Sequence, residues 1–314
     1  MTLPTVTLQS GQQVKLGRIR PVTRPQCLNL ANYFDSSTAA PPPPSVDWAS
    51  KAMDSIKRMY LNDKYGCCVI SGKYHKVGIW SGNDTGTAVQ GTDAEVYQNY
   101  QKICGPGDNG CMINVVLDYF KNKGLPFNGQ IHKIDGYVTA DWTNKTLVQV
   151  GILLFGGGTI GVNLPRAWTC SNCTWDVTNS QIVGGHDVCI TGYNEKGVQI
   201  STWGGLCTIT WAAFLSRKWV EELYFVLGPD WYNQDNLAPN GIDVGKLRRD
   251  LSIIGGGNIP PLDDPPTPPN PPNPPNPPTP PTPPTPPVTT GFNGAVRYSY
   301  QNGVVSDITL FKQK

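Results

Sequence analysis

Apolar residues recur at helical spacing in three stretches of the first half of the chain. In KAMDSIKRMYL they fall at Met53, Ile56, Met59 and Tyr60, and in CVISGKYHKVGIW at Ile70, Tyr74 and Val77. CMINVVLDYFKNKG closes on a Lys-rich turn and a glycine stop. All three predict helices, and TLVQVGILLF reads as one more. Beyond it the pattern changes. TIGVNLP, DVCITGYN, GVQISTW, LCTITW and EELYFVLG are short β-rich runs separated by Gly, Asn and Pro, which predict strands. Helices followed by strands indicate an α+β fold in two lobes with a site between them.

Outside this region the periodicity lapses. Residues 1–45 are polar and punctuated by proline, ending in AAPPPPS, and read as an arm. Residues 46–232 form the working domain, and 233–287 a linker. Within the linker, 260–287 is almost wholly Pro with Thr and Asn, which favours a polyproline II rod of roughly 85 Å at about 3.1 Å per residue. In 288–314, GAVRYSYQNGVVSDITLF reads as two strands about Asn302-Gly303, a dipeptide suited to a type I′ turn. Two strands alone are marginal in water, so this hairpin is expected to attach to another copy or to a partner, as on a viral particle or multiprotein assembly.

Composition narrows the partners. The chain has 314 residues, 39% of them hydrophobic, which is enough for a buried core, and a formal net charge of +2 without a long basic run. Neither nucleic acid nor an anionic membrane is expected to bind. The opening MTLPTVTLQSGQQVKLGRIRP lacks the apolar segment and cleavage site of a secretory signal, and no apolar stretch reaches the roughly 20 residues of a membrane span. A soluble, host-cytoplasmic or virion-associated protein is the expectation. The Asn83, Asn144 and Asn172 glycosylation triplets then read as chance matches. Nine cysteines, an odd number, leave at least one thiol unpaired within the chain. Cys170 and Cys173 have zinc-like spacing without a second such pair, so a cross-linked turn is expected there rather than a metal site. Gly156-Gly157-Gly158 lacks the Gly-Lys-Ser/Thr of a phosphate loop and reads as a bend at a strand start. No cofactor is expected.

The strongest chemical candidate is NDKYGCCVISG, residues 62–72, where two cysteines follow a glycine turn and precede an apolar helix. Free N–H groups and the dipole at a helix start stabilise a thiolate. Cys68 is placed at that start, whereas Cys67 lies one residue further out and should point elsewhere as a structural thiol. Only three histidines can serve as base. His75 is seven residues along the same helix, about 10 Å away by helical rise. His132 sits in a loop-like segment with no partner signal. His186 follows Gly184-Gly185 and opens an apolar strand, a position from which a side chain faces a cleft.

The surroundings of these residues resemble papain-like cysteine peptidases over about residues 46–230. Val46-Asp47-Trp48 matches the start of that domain; Asn62 stands six residues before Cys68, where the family has Gln; His186 opens a strand ending in Gly192-Tyr193; and Ser201-Thr202-Trp203-Gly204 matches Asn-Ser-Trp-Gly. Cys104 and Cys111 resemble the family's paired cysteines before its third helix. NDxxGxC with a histidine in the following helix is similar to a papain-like group of phage and bacterial genomes. The resemblance implies a helical lobe against a β-barrel-like lobe, with Cys68 as nucleophile, His186 as acid and base, Asn62 in the oxyanion hole, Ser201 orienting His186, and Trp203 shielding that contact from water. It also offers Cys111 as a disulfide partner for Cys67, with a vicinal Cys67–Cys68 bridge as an alternative. Its inhibitory segments are generally longer than this arm, which points away from a role for residues 1–45 at the site. The implied activity is hydrolysis of an extended peptide. Because Asn62 is a methylene shorter than Gln and Ser201 holds a histidine less rigidly than Asn, the alternative is a catalytically weakened binding or structural module. An acyl transferase or deamidase using the same thiolate is the third reading.

Overall fold

The computed structural model describes residues 3–21, 27–32, 41–232 and 237–240, together with the backbone of two strands, 294–301 and 304–312. The proline rod and the Asn302-Gly303 turn lie outside the described residues.

In the arm, β1 (Thr5–Thr7) and β2 (Gln13–Lys15) pair antiparallel, and β3 (Leu28–Asn29) joins the main sheet further on. After β4 (Val46–Asp47) come the helices α1 (Met53–Ile56), α2 (Cys68–Asp84), α3 (Asp93–Cys104) and α4 (Ile113–Asn122). A small hairpin of β5 (Leu125–Phe127) and β6 (Gln130–His132) leads to β7 (Gly136–Thr139) and α5 (Lys145–Leu154). The remainder is chiefly sheet: β8 (Gly158–Pro165), β9 (Thr174–Trp175), β10 (Ile182–Tyr193), β11 (Gly197–Thr202), β12 (Gly205–Thr210), the single turn α6 (Trp211–Phe214) and β13 (Val220–Leu227). The order across this sheet is β3-β7-β13-β8-β10-β11-β12-β9, with β4 on β10. Separately, β14 (Gly294–Gln301) and β15 (Val304–Lys312) pair antiparallel, the strand pair expected from the C-terminal pattern.

The α+β order read from the sequence is the one found, with two local differences. The helix expected over KAMDSIKRMYL stops at Ile56, because Tyr60 and Leu61 take left-handed conformations (φ +46° and +64°) that no helix continues through. Packing explains it: Tyr60 turns inward against Tyr74 and His75, and its hydroxyl lies 3.1 Å from Ser55 Oγ. Helix α3 went unread, although Thr92-Asp93-Ala94-Glu95 carries its start signal. Thr92 accepts from the Glu95 N–H while the Glu95 carboxylate accepts from the Thr92 N–H, a reciprocal cap.

Helix α2 sets the position of everything else. All but its last residue are buried, including Lys73, His75 and Lys76, so it is a central strut rather than a surface helix with one apolar face. It packs against β10 and so joins the helices to the sheet. The join is ionic at one point: Lys73 Nζ lies 3.2 Å from Asp187 Oδ2, and Thr159 donates to Asp187 Oδ1 at 2.7 Å. Burial pushes the Asp187 carboxyl up to about 6, with Lys73 and Thr159 holding it back.

Candidate active site

Cys68 is the first residue of α2 and Cys67 its N-cap, and their side chains diverge as helix entry requires. The Cys67 thiol turns inward, with Tyr60 O at 3.5 Å and Ser71 Oγ at 3.4 Å. The Cys68 thiol instead meets the backbone N–H of Asp187, the residue after His186, and the backbone N–H of Gly17. Both thiols are 1% exposed. Burial, reinforced by the Asp187 carboxylate, pushes Cys68 up to about 11 against the pull of those two N–H groups.

His186 lies in β10, and its ring stacks on Trp203 with centroids 4.4 Å apart and 12° between planes. The stacking brings together the two residues for which the resemblance implied a shielding contact. Nε2 is 2.8 Å from Thr202 Oγ1, whereas Nδ1 has no hydrogen-bond partner among the described residues. In the tautomer whose Nε2–H donates to Thr202 Oγ1, the lone pair is on Nδ1. Burial lowers His186 to about 3, so the imidazole is neutral at ordinary pH.

The hydroxyl on His186 therefore belongs to Thr202 and not to Ser201. Successive residues of a strand face opposite sides. Ser201 pairs with Cys189 across β10 and β11, and its buried Oγ has no partner among the described residues. Thr202, at the end of β11, is the one turned to the imidazole.

Asn62 is buried, and its amide donates to Lys15 O at 3.3 Å and to Tyr65 O at 3.4 Å. The first acceptor belongs to the arm. Residues 15–19 run over the Cys68–His186 junction, contrary to the expectation from the arm's length. Arg18 N–H donates to Gly185 O at 3.2 Å, Cys111 N–H to Gly17 O at 2.7 Å and Ile19 N–H to Cys111 O at 2.8 Å. Gly17 is the point of closest approach: a Cβ built there would stand 1.7 Å from Gly66 O, so no larger residue fits. Asp108 clamps this arrangement, accepting from Lys15 Nζ at 2.7 Å, from Gly66 N–H at 2.8 Å and from Tyr100 OH at 2.9 Å. Burial raises the Asp108 carboxyl, but these three bonds outweigh it and leave it below the usual carboxylate range.

A thiol at the start of a buried central helix thus lies beside the strand that carries His186, with the helices on one side and the sheet on the other. Two solved structures are similar to this chain in fold. Xylellain, a cysteine protease from Xylella fastidiosa, is 15% identical, with a TM-score of 0.55 over 68% of this chain and 95% of its own. A procathepsin B from Trypanosoma congolense is 10% identical, with a TM-score of 0.51 over 68% of this chain and 86% of its own. The fold is papain-like. No protein-family profile and no curated protein matches the sequence.

Within this papain-like frame, the cysteines pair as Cys104–Cys111 and Cys170–Cys173. The second is the cross-linked turn expected at that spacing. The first removes Cys111 as a partner for Cys67, which remains a thiol, as does Cys68. The competition is decided by distance along the chain: a glycine-containing loop returns Cys111 to within a Cα separation of 5.2 Å from Cys104. His75 packs edge-on against Tyr60, and burial lowers it to about 4. His132 Nδ1 lies 2.7 Å from Asp230 Oδ1, a partnership that no local pattern announced. Among the described residues no group of three His, Cys, Asp or Glu side chains is arranged to hold a metal ion, and no helix is long and apolar enough to cross a membrane.

Proposed function

We propose that the chain is a cysteine peptidase that its own arm holds latent. The observation that carries the reading is the convergence of the Cys68 thiol, at the N-terminus of α2, with the His186 strand: the thiol touches the backbone of the very next residue, Asp187. The fold of known cysteine proteases supports it.

In the reaction, Nδ1 of His186 takes the Cys68 proton, and the thiolate attacks the scissile carbonyl carbon. The carbonyl oxygen gains the negative charge and is met by the Asn62 amide and the Cys68 backbone N–H. Asn62 already donates to a peptide carbonyl, that of Lys15, the kind of acceptor such a site serves. His186 then returns the proton to the leaving amine, and water hydrolyses the thioester to free Cys68. Thr202 holds the imidazole through Nε2, which leaves Nδ1 to take up the proton, and Trp203 covers its face.

Latency follows from desolvation. With Gly17 over the thiol, both partners are buried and each is held in its neutral form, so the thiolate–imidazolium pair is suppressed. That same burial favours a second reading, a papain-fold binding module with no turnover. The experiment is labelling with an electrophilic peptide after limited proteolysis of the arm. Labelling confined to Cys68, and peptide cleavage abolished by Cys68→Ala, support the peptidase; no labelling once the arm is cut supports the module. Product analysis separates hydrolysis from acyl transfer or deamidation. In this scheme residues 46–232 are the catalytic unit, 233–287 the linker and 288–314 the attachment module.

A further inference from the structure

The arm does more than cover the thiol: it inserts a side chain into the sheet lobe. The Arg18 side chain is 1% exposed, and its guanidinium meets two carboxylates. Nε donates to Glu222 Oε1 at 2.8 Å, NH2 contacts the same oxygen, and NH1 donates to Glu221 Oε2 at 2.7 Å. The other Glu222 oxygen accepts from Tyr224 OH at 3.0 Å, which fixes the carboxylate toward Arg18. Gly161 supplies the room, since a Cβ there would stand 2.5 Å from Arg18 Nε. The pocket opens into a cavity of about 460 Å³ lined in part by Thr139, Val220 and Arg217.

Two carboxylates buried together repel one another and lose their hydration unless a cation fills the space between them. When the arm leaves, Arg18 leaves with it, and Glu221 and Glu222 are left facing an empty slot in a cleft. A peptide entering that cleft then meets a site with planar, paired acceptors, the geometry that suits a guanidinium better than an ammonium. The backbone of Arg18 fixes where the slot lies: its N–H donates to Gly185 O, one residue before His186, and its neighbour Gly17 lies on the Cys68 thiol.

We propose that Glu221, Glu222 and Gly161 form a specificity pocket for an arginine side chain within two residues of the bond attacked, and that Arg18 is its resident occupant. This rests on reading the cleft as a peptide site. The substrate class is then basic peptides presenting arginine beside a small residue, as Leu16-Gly17-Arg18 does.

The test is binding without turnover, so that it stands apart from the test of peptidase activity. A full-length chain carrying Gly17→Val, whose arm cannot seat, and Cys68→Ala, which removes the nucleophile, is titrated with a fluorescent synthetic peptide of residues 13–21, and with the same peptide carrying Arg18→Ala. Both peptides keep Arg20, whose Nε donates to Glu221 Oε2 at 3.1 Å, so the difference between them reads the Arg18 contacts alone. The arginine peptide should bind at least about 30-fold more tightly, the scale of two charge-assisted bonds. That preference should shrink to within about threefold when the chain also carries Glu222→Gln. Should that variant fail to fold by circular dichroism, Glu221→Gln, on the more exposed carboxylate, reads the same quantity. Equal binding of the two peptides, no binding of either, or an undiminished preference in both glutamate variants would overturn the proposal.

Discussion

Replacing Gly17 by valine should turn Cys68 from an inert thiol into a reactive one. The Cβ would stand 1.7 Å from Gly66 O, short by about 1.3 Å of the 3.0 Å that real Cβ contacts keep, and the obstacle is backbone that cannot swing aside. A displacement of that size stretches the 2.7 Å and 2.8 Å bonds between the arm and Cys111 to about 4 Å, beyond hydrogen-bond range, and takes the Arg18 N–H to Gly185 O bond with them. Three such bonds are together worth about 2–4 kcal/mol, a shift of roughly 30- to 1,000-fold toward the released arm. Release rehydrates the thiol, which falls from about 11 toward the ordinary value near 8.5 or lower. At about pH 7.5 the thiolate fraction then rises by about 300-fold. The assay is the rate of iodoacetamide alkylation at Cys68 across pH, followed by peptide mass mapping, with buried Cys67 and Cys189 as internal controls. An unchanged rate and an unchanged inflection in a folded variant would refute the claim that the arm sets the state of the thiol.

Three further outcomes follow from named contacts. Thr202→Val should lower kcat of the arm-released protein by about 10- to 100-fold, in the range of a mispositioned general base, with KM little changed, while Ser201→Ala should stay within about twofold; steady-state kinetics on one peptide checks both. Because the Asp108 carboxyl sits below its ordinary value, its stabilising effect is fully present above the unfolded carboxylate pKa near 4 and is lost as pH falls through the lowered folded value; thermal melting should therefore lose stability in acid more steeply for the native chain than for Asp108→Asn. Cys111→Ser opens the short loop from Cys104, at a cost of about 2–3 kcal/mol in urea unfolding, and should also speed Cys68 alkylation, since the Cys111 backbone bonds the arm through both its N–H and its carbonyl.

The parts of the site that the sequence revealed are those fixed by local pattern. A glycine turn before an apolar helix pointed to Cys68 and elimination among three histidines to His186, while Trp203 was implied by the family resemblance; the structure stacks Trp203 on His186. The choice between Ser201 and Thr202 was not legible, because it depends on the register of β10 with β11, and a register is a property of two strands and not of one. The arm was missed for a related reason. Its hold on the cleft consists mainly of main-chain bonds, which any residue can make, and of strands three residues long, too short to show alternation. Glu221-Glu222 opens a β-rich run in the sequence and Arg18 lies in the polar arm; only their meeting across more than 200 residues of chain gives either a role.

Strand β10 carries His186 toward Trp203 and Thr202, and the adjacent Asp187 toward Lys73 and Thr159 beneath α2. A single residue inserted or deleted between Gly184 and His186 would exchange these two destinations, setting an imidazole against a buried lysine and a carboxylate against an indole face. Length changes in this strand are thus equivalent to a simultaneous double substitution at the reactive centre, even when every residue type is retained. Length variation that this protein can tolerate in its sheet lobe belongs instead to the segment before the strand, around residues 176–181, where the chain runs between β9 and β10 and an added residue need not propagate into the pairing.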